Sequence, residues 1–325
     1  MITFAVAFVN GMTDAPNAIV SCVSTQSINL KKAVIIAAIS DFAGSVTIGL
    51  LNGSVAETVI NIANLGDDKQ TAIIGLAVSM LSVVIWAVAA WWFGIPTSES
   101  HALIASLAGA GIAINNRFSI VAVEAWKKVI YGLLISVLLG VVSGYLISKF
   151  TVKLFKSQTK EKKDFIFKKS QVYSSAFMSF MHGAQDSQKF TGILMLILLF
   201  SDYSQSRDIP FGILLLCPLF IAAGTATGGE RIIKSVGTDM LKMRKDQGFS
   251  ADIAGALCLL VSTLMGMPVS TTHTKTSAVI GVGIAEDVKL LDWKIAGEMV
   301  AAWLITFPAC GILGWFITKL FLRIL

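Results

Sequence analysis

The sequence predicts an all-α polytopic membrane protein: two inverted-topology repeats with interrupted helices or re-entrant hairpins, about 10–12 membrane segments in all. Three observations predict it. First, the chain of 325 residues is 55% hydrophobic and 14% charged, with a mean hydropathy of +0.75. Soluble domains carry about 25% charged residues. Second, several apolar runs approach the roughly 20 residues that a bilayer requires. Third, two unrelated polar motifs recur at one shift of 172 residues: Pro96-Thr97-Ser98-Glu99-Ser100-His101 returns as Pro268-Val269-Ser270-Thr271-Thr272-His273, and Gly11-Met12-Thr13-Asp14 returns as Gly183-Ala184-Gln185-Asp186. Two matches at one shift read as a duplication of the whole chain.

The runs Ala33–Leu51, Thr71–Phe93, Val129–Ser148, Phe211–Gly228 and Ile295–Ile317 are near spanning length, and Asp252–Gly266 is shorter. The motif-bearing regions 2–28 and 173–200 are long enough only if read through polar breaks. Segments 97–113 and 269–285 either cross or re-enter, and both readings place their polar starts in a cavity, because irregular backbone at membrane depth needs protein or water around it. Asp14 and Pro16 interrupt the N-terminal apolar stretch, which argues against a cleaved signal peptide. The four cysteines, Cys22, Cys217, Cys258 and Cys310, lie scattered in apolar stretches and read as filler.

Charge orders these segments. Net charge is +6, and the stretch Lys149–Lys169, with eight lysines against Glu161 and Asp164, accounts for all of it. This excludes a nucleic-acid-binding surface. A lysine-rich loop beside spans marks the cytoplasmic side. The predicted organisation is a first repeat over 1–148, a basic cytoplasmic linker over 149–170 and a second, inverted repeat over 171–325. Five crossings per repeat place both termini outside a cell membrane. Lys31, Lys32 and the basic residues of 230–245 (Arg231, Lys234, Lys242, Arg244, Lys245) then fall inside, and Asp67, Asp68, Asp202 and Asp208 outside. The segment 116–128, with Arg117, Lys127 and Lys128, falls outside against the rule.

The Pro-x-Ser-x-x-His motif reads as a helix start. Proline suits the first turn, and a neighbouring serine suits the N-cap. Free N–H groups and the positive dipole end would face a cavity, forming two anion cradles with Ser98, Ser100, Ser270, Thr271 and Thr272, with Gln188 a further candidate for the anion. Asp14 and Asp186 are intramembrane acids, which are functional candidates by default. With Thr13, Asn17, Gln185 and Gln188 nearby, plus carbonyls freed where Pro16 breaks the helix, they offer hard oxygen ligands for a small cation. Asp41 and Asp252 are candidates for a second cation or a proton, and Glu99 is a further acid at this depth. His101, His182 and His273, the only histidines, all lie in the motifs. They read as orienting groups rather than zinc ligands. An anion site so rich in carboxylates needs bound cations to neutralise them, which is a physical argument for cation–anion symport.

At these residues the chain resembles the inorganic phosphate transporter (PiT) family. That family's first motif, close to G-A-N-D-x-x-N-A, is met by Gly11-Met12-Thr13-Asp14-Ala15-Pro16-Asn17-Ala18. Its second, H-G-x-N-D-x-Q-K, is met by His182 through Lys189, and P-x-S-x-[ST]-H is met twice. The resemblance covers essentially the whole chain. It implies a homodimeric phosphate symporter of inverted repeats, with Na+ or H+ as coupling ion and no cofactor. It implies Asp14 and Asp186 at the ion and phosphate site, Ser98 and Ser270 on phosphate, and functional acids at Asp41 and Asp252. Thr13 and Gln185 stand where the family pattern has asparagine.

Three other readings compete. A sulfate permease of the same fold would bind an anion that cannot donate a hydrogen bond, whereas a carboxylate-lined site favours phosphate, which can. An intramembrane enzyme would need a catalytic signature, and neither HExxH nor GxSxG occurs. A channel would not accumulate its ion uphill.

Overall fold

The computed structural model describes residues 1–62, 64–66, 68–93, 97–118, 123–203, 210–227 and 241–324. Pro96, Asp67, Asp208, Arg231 and Lys234 lie outside the described residues. Everything regular among the described residues is helical. The helices are α1 (Ile2–Thr13), α2 (Pro16–Ser24), α3 (Leu30–Leu51), α4 (Ser54–Ile62), α5 (Lys69–Phe93), α6 (Glu99–Asn115), α7 (Val123–Leu154), α8 (Lys160–Phe200), α9 (Phe211–Thr227), α10 (Lys245–Leu264), α11 (Thr271–Glu286) and α12 (Trp293–Ile324). Five of them (α3, α5, α7, α10 and α12) are long and apolar enough to cross a membrane. This is the polytopic all-α fold that the composition predicts.

The elements line up at the shift of the motifs. α6 and α11 begin at Glu99 and Thr271, and α7 and α12 are each 32 residues long. Packing is reciprocal: α6 lies against α12 of the other half, and α11 against α7. Glycines allow both approaches. A Cβ on Gly109 would lie 2.1 Å from the Gly311 carbonyl oxygen, and one on Gly281, its counterpart, 2.1 Å from that of Val141. The two halves therefore interlock. α3 and α10 both lean on the long α8, while α1 packs on α9. The largest apolar cluster joins α1, α5, α6, α8 and α9 through residues such as Val6, Leu76, Met80, Leu103, Phe190 and Ile221.

Contacts between helix ends sort the connections into two faces. On one, Lys69 pairs with Asp202, Gly66 lies beside Asn115, and Lys319 donates to Asn116. On the other, Lys245 pairs with Asp164 at 2.6 Å, Arg244 with Glu286 at 2.8 Å, and Thr25 donates to Gln171 at 2.7 Å. The basic stretch is not an extended loop, however. α7 continues to Leu154 and α8 begins at Lys160, so most of 149–170 is helix end, capped where Lys162 N–H donates to Thr159 Oγ1 at 3.4 Å.

Two local expectations are corrected. Proline does not occupy the first helical turn of α11: Pro268 precedes the N-cap Ser270 by two residues. The aspartate motif interrupts only the first half. α1 ends at Thr13 and α2 starts at Pro16, but Asp14 and Ala15 keep right-handed helical angles, so the chain tightens rather than unwinds. The second copy lies inside the uninterrupted 41-residue α8. The cause is one residue: Gln188 stands at the position of Pro16, and glutamine supplies the N–H that proline lacks.

Candidate functional site

Both serine motifs start helices inside the protein. His101 N–H donates to Ser98 Oγ at 3.3 Å, and His273 N–H donates to Ser270 Oγ at 3.2 Å. Ser98, Ser100, Ser270, Thr271 and Thr272 are all buried. The first N–H groups of each helix have no intrahelical partner, and the dipole adds partial positive charge there. Two N-termini of this kind, on α6 and α11, converge on the aspartate motifs of the opposite halves.

That convergence is made by side chains. Thr272 Oγ1 donates to Asp14 Oδ1 at 3.1 Å and accepts from Asn17 Nδ2 at 3.0 Å. Ser100 accepts from Lys189 Nζ and donates to the Val269 carbonyl at 3.2 Å. Lys189 also donates to Asp186 Oδ1 at 2.6 Å and Val269 O at 2.8 Å, so its three N–H groups are all used. Asn10 donates to Asp186 Oδ2 at 2.9 Å. Thr13 donates to Glu99 Oε1. Asp41 joins through His182, whose Nδ1 lies 3.1 Å from Asp41 Oδ1 and whose Nε2 lies 3.6 Å from Asp186 Oδ2; Thr225 holds the other Asp41 oxygen at 2.9 Å. A Cβ at Gly183 would fall 2.1 Å from the Asp41 carbonyl oxygen, so glycine sets this approach of α8 to α3.

The remaining expected ligands hydrogen-bond to other groups. Gln188 accepts from Val55 N–H at 3.2 Å and donates to Ala184 O at 3.1 Å. Gln185 donates to Met267 O at 2.8 Å and accepts from Thr263. Asp252 pairs with Lys275 and accepts from Ser174 and Ser175 at 3.0 and 2.7 Å. His101 and His273 pack edge to face, ring centres 4.4 Å apart, against Phe307 and Trp303 respectively.

The charges are unevenly matched between the halves. In the second half, Asp186 and Asp252 each hold a buried lysine. In the first, Asp14 accepts from the Thr272 hydroxyl and Glu99 from the Thr13 hydroxyl, and neither acid has a base within ion-pair distance among the described residues. Of the eight buried side-chain oxygens without a hydrogen-bond partner among the described residues, four gather here: Asn10 Oδ1, Asn17 Oδ1, Glu99 Oε2 and Thr271 Oγ1. Each belongs to a residue in or beside these motifs. An unsatisfied buried oxygen costs about 1–3 kcal/mol, so four of them call for a ligand. Hard oxygens next to unpaired carboxylates suit a small cation; the nearby N-termini, Lys189 and the hydroxyls suit an oxyanion. Sequence reading missed Asn10, and it left Lys189 and Lys275 without partners; Asn10 stands at the position of His182, which is the signal that could have found it.

The fold and site define a polytopic membrane protein with a charged, polar centre. The chain belongs to the phosphate transporter family, whose pattern it matches over residues 10–314. It is 33% identical to a probable low-affinity inorganic phosphate transporter of Bacillus subtilis (strain 168), over 94% of this chain and 91% of that one. It is 37% identical to a protein of the same description from Rhizobium meliloti (strain 1021), over 94% and 90%. Its fold matches a solved structure described as the sodium-dependent phosphate transporter, with a TM-score of 0.89 at 20% identity over 100% of this chain and 98% of that one.

Proposed function

We propose that this protein is a secondary active symporter that moves inorganic phosphate across the cell membrane by alternating access, driven by a Na+ gradient. The observation that carries this reading is the set of four partnerless buried oxygens beside the unpaired acids Asp14 and Glu99. Na+ neutralises those acids and is held by Asp14, Thr13, Asn17, Asn10 and Glu99. Phosphate then binds between the N-termini of α6 and α11, with Ser98, Ser100, Ser270, Thr271, Thr272 and Lys189. Asp186 and Asp41, linked through His182, couple the phosphate side to α3.

Reciprocal packing of α6 on α12 and α11 on α7 supports two inverted repeats, 1–148 and 171–325, exchanged by a pseudo-twofold axis. In that arrangement 149–170 is cytoplasmic and both termini are extracellular. The working unit is a homodimer, as the PiT resemblance implies, and the chain carries out no covalent chemistry of its own.

Phosphate is preferred to sulfate because its hydroxyl can donate to a carboxylate of the site, and sulfate has no hydrogen to give. Protein in liposomes preloaded with unlabelled phosphate should draw in radiolabelled phosphate by exchange, with weak competition from sulfate. No exchange, or exchange blocked equally by sulfate, contradicts the reading.

A further inference from the structure

Lys275 has no polar counterpart in the first half. At the motif shift its position is that of Leu103, and the position of its partner Asp252 is that of Met80. Leu103 and Met80 are both buried in the main apolar cluster. The second half therefore contains a complete ion pair where the first half is dry.

The pair is fully enclosed: both side chains are 0% exposed. Lys275 Nζ donates to Asp252 Oδ1 and to Ser21 Oγ, the latter at 2.7 Å. Ser174 and Ser175 hold Asp252 Oδ2. The ammonium thus rests on a carboxylate oxygen from α10 and a hydroxyl oxygen from α2, with two more hydroxyls from α8 around the same carboxylate. Anionic and hydroxyl oxygens converging from three helices make the environment of a hard cation. An unpaired charge there would be strongly destabilising, whereas an apolar pair of similar volume is often tolerated, which is what the first half has.

We propose that the Lys275 ammonium is a tethered counter-cation. It fills a monovalent-cation position at Asp252, so this acid takes no free coupling ion during transport. The free ion binds only at the Asp14–Glu99 side. This rests on the symport reading for its role in transport, but not for its test by binding. One consequence is that the number of ions carried per phosphate is set partly by residue 275. Replacing the lysine with an apolar residue would expose Asp252 to a second ion.

The test counts bound Na+ on purified full-length protein with radiolabelled Na+, for the wild type, Lys275→Met, and the double variant Lys275→Leu/Asp252→Met, which copies the first half. We expect Lys275→Met to bind one more Na+ per chain than the wild type, with a steeper Na+ dependence of phosphate uptake. We expect the double variant to return to the wild-type count. Unchanged Na+ binding in Lys275→Met overturns the proposal. If Lys275→Met does not fold, the double variant decides alone: a count one below wild type would mean that Asp252 binds a free ion after all. A wild type that binds no Na+ contradicts Na+ symport, yet a gain on Lys275→Met would still report the tethered cation.

Discussion

Thr272 Oγ1, at the start of α11, donates to Asp14 Oδ1 at the end of α1 across 3.1 Å. A serine-rich helix start from one half is thereby bonded to the acid of the other. Ser100 and Lys189 form the reciprocal link. On the proposed symport reading, movement of either half about this contact changes both the cation and the anion environment, which is the physical requirement for coupling.

The two motif acids should differ in stability while agreeing in transport. Asp14→Asn and Asp186→Asn are both expected to abolish cation-driven uptake. Asp186→Asn also strands the buried ammonium of Lys189, at a cost of roughly 3–5 kcal/mol. Asp14→Asn strands no base, so its Tm should fall much less. Equal Tm shifts for the two purified variants would contradict the unequal pairing.

Glu99 stands where the second half has Thr271. Glu99→Thr should weaken apparent Na+ affinity by about tenfold or more, about 1.4 kcal/mol, and change phosphate affinity at saturating Na+ much less. The check is uptake titrated against each ion separately. A loss confined to phosphate affinity would move Glu99 out of the cation site.

Gly183 sets the distance between α8 and α3. Gly183→Ala places a carbon 2.1 Å from the Asp41 carbonyl oxygen, which is backbone and cannot rotate away. Overpacking of this kind costs about 1–3 kcal/mol and should part His182 from Asp41. Gly212→Ala, with nothing within 4 Å of the new carbon, is the control. The expected result is a lower Tm and lost uptake for the first variant and neither for the second; a wild-type Tm for Gly183→Ala would contradict the close approach.

On the face that carries Asp164, Arg244 bonds both oxygens of Glu286 at 2.8 and 3.1 Å and holds its carboxyl below the ordinary value of 4.5. A lowered folded-state value means stability that is fully present above 4.5 and is lost as pH falls below it. Glu286→Gln should therefore reduce Tm at neutral pH, and the gap from the wild type should close in acid. A gap that widens toward acid would reverse the sign of this assignment.

Much of the fold was legible because its causes are local. Apolar run length gave the spans, and Ser98 and Ser270 marked the helix starts through N-cap chemistry. The repeat shift also paired the halves. The continuity of α8 is written in the sequence too, in Gln188 at the position of Pro16. The pairing of Lys275 with Asp252 and of Lys189 with Asp186 is not, because it depends on how helices far apart in sequence are rotated, which periodicity does not fix. For the same reason Gln185, a neighbour of an acid in sequence, bonds to Met267 O and the Thr263 hydroxyl, and Gln188 to backbone groups of Val55 and Ala184.

On the proposed reading, phosphate movement is tied to a cation gradient through the Asp14–Glu99 side. Radiolabelled phosphate uptake into proteoliposomes, under an imposed Na+ gradient and separately under an imposed H+ gradient, tests it most directly. Uphill accumulation driven by the Na+ gradient, and lost in Asp14→Asn, is the expected result. Uptake indifferent to both gradients, or unchanged in that variant, would contradict it.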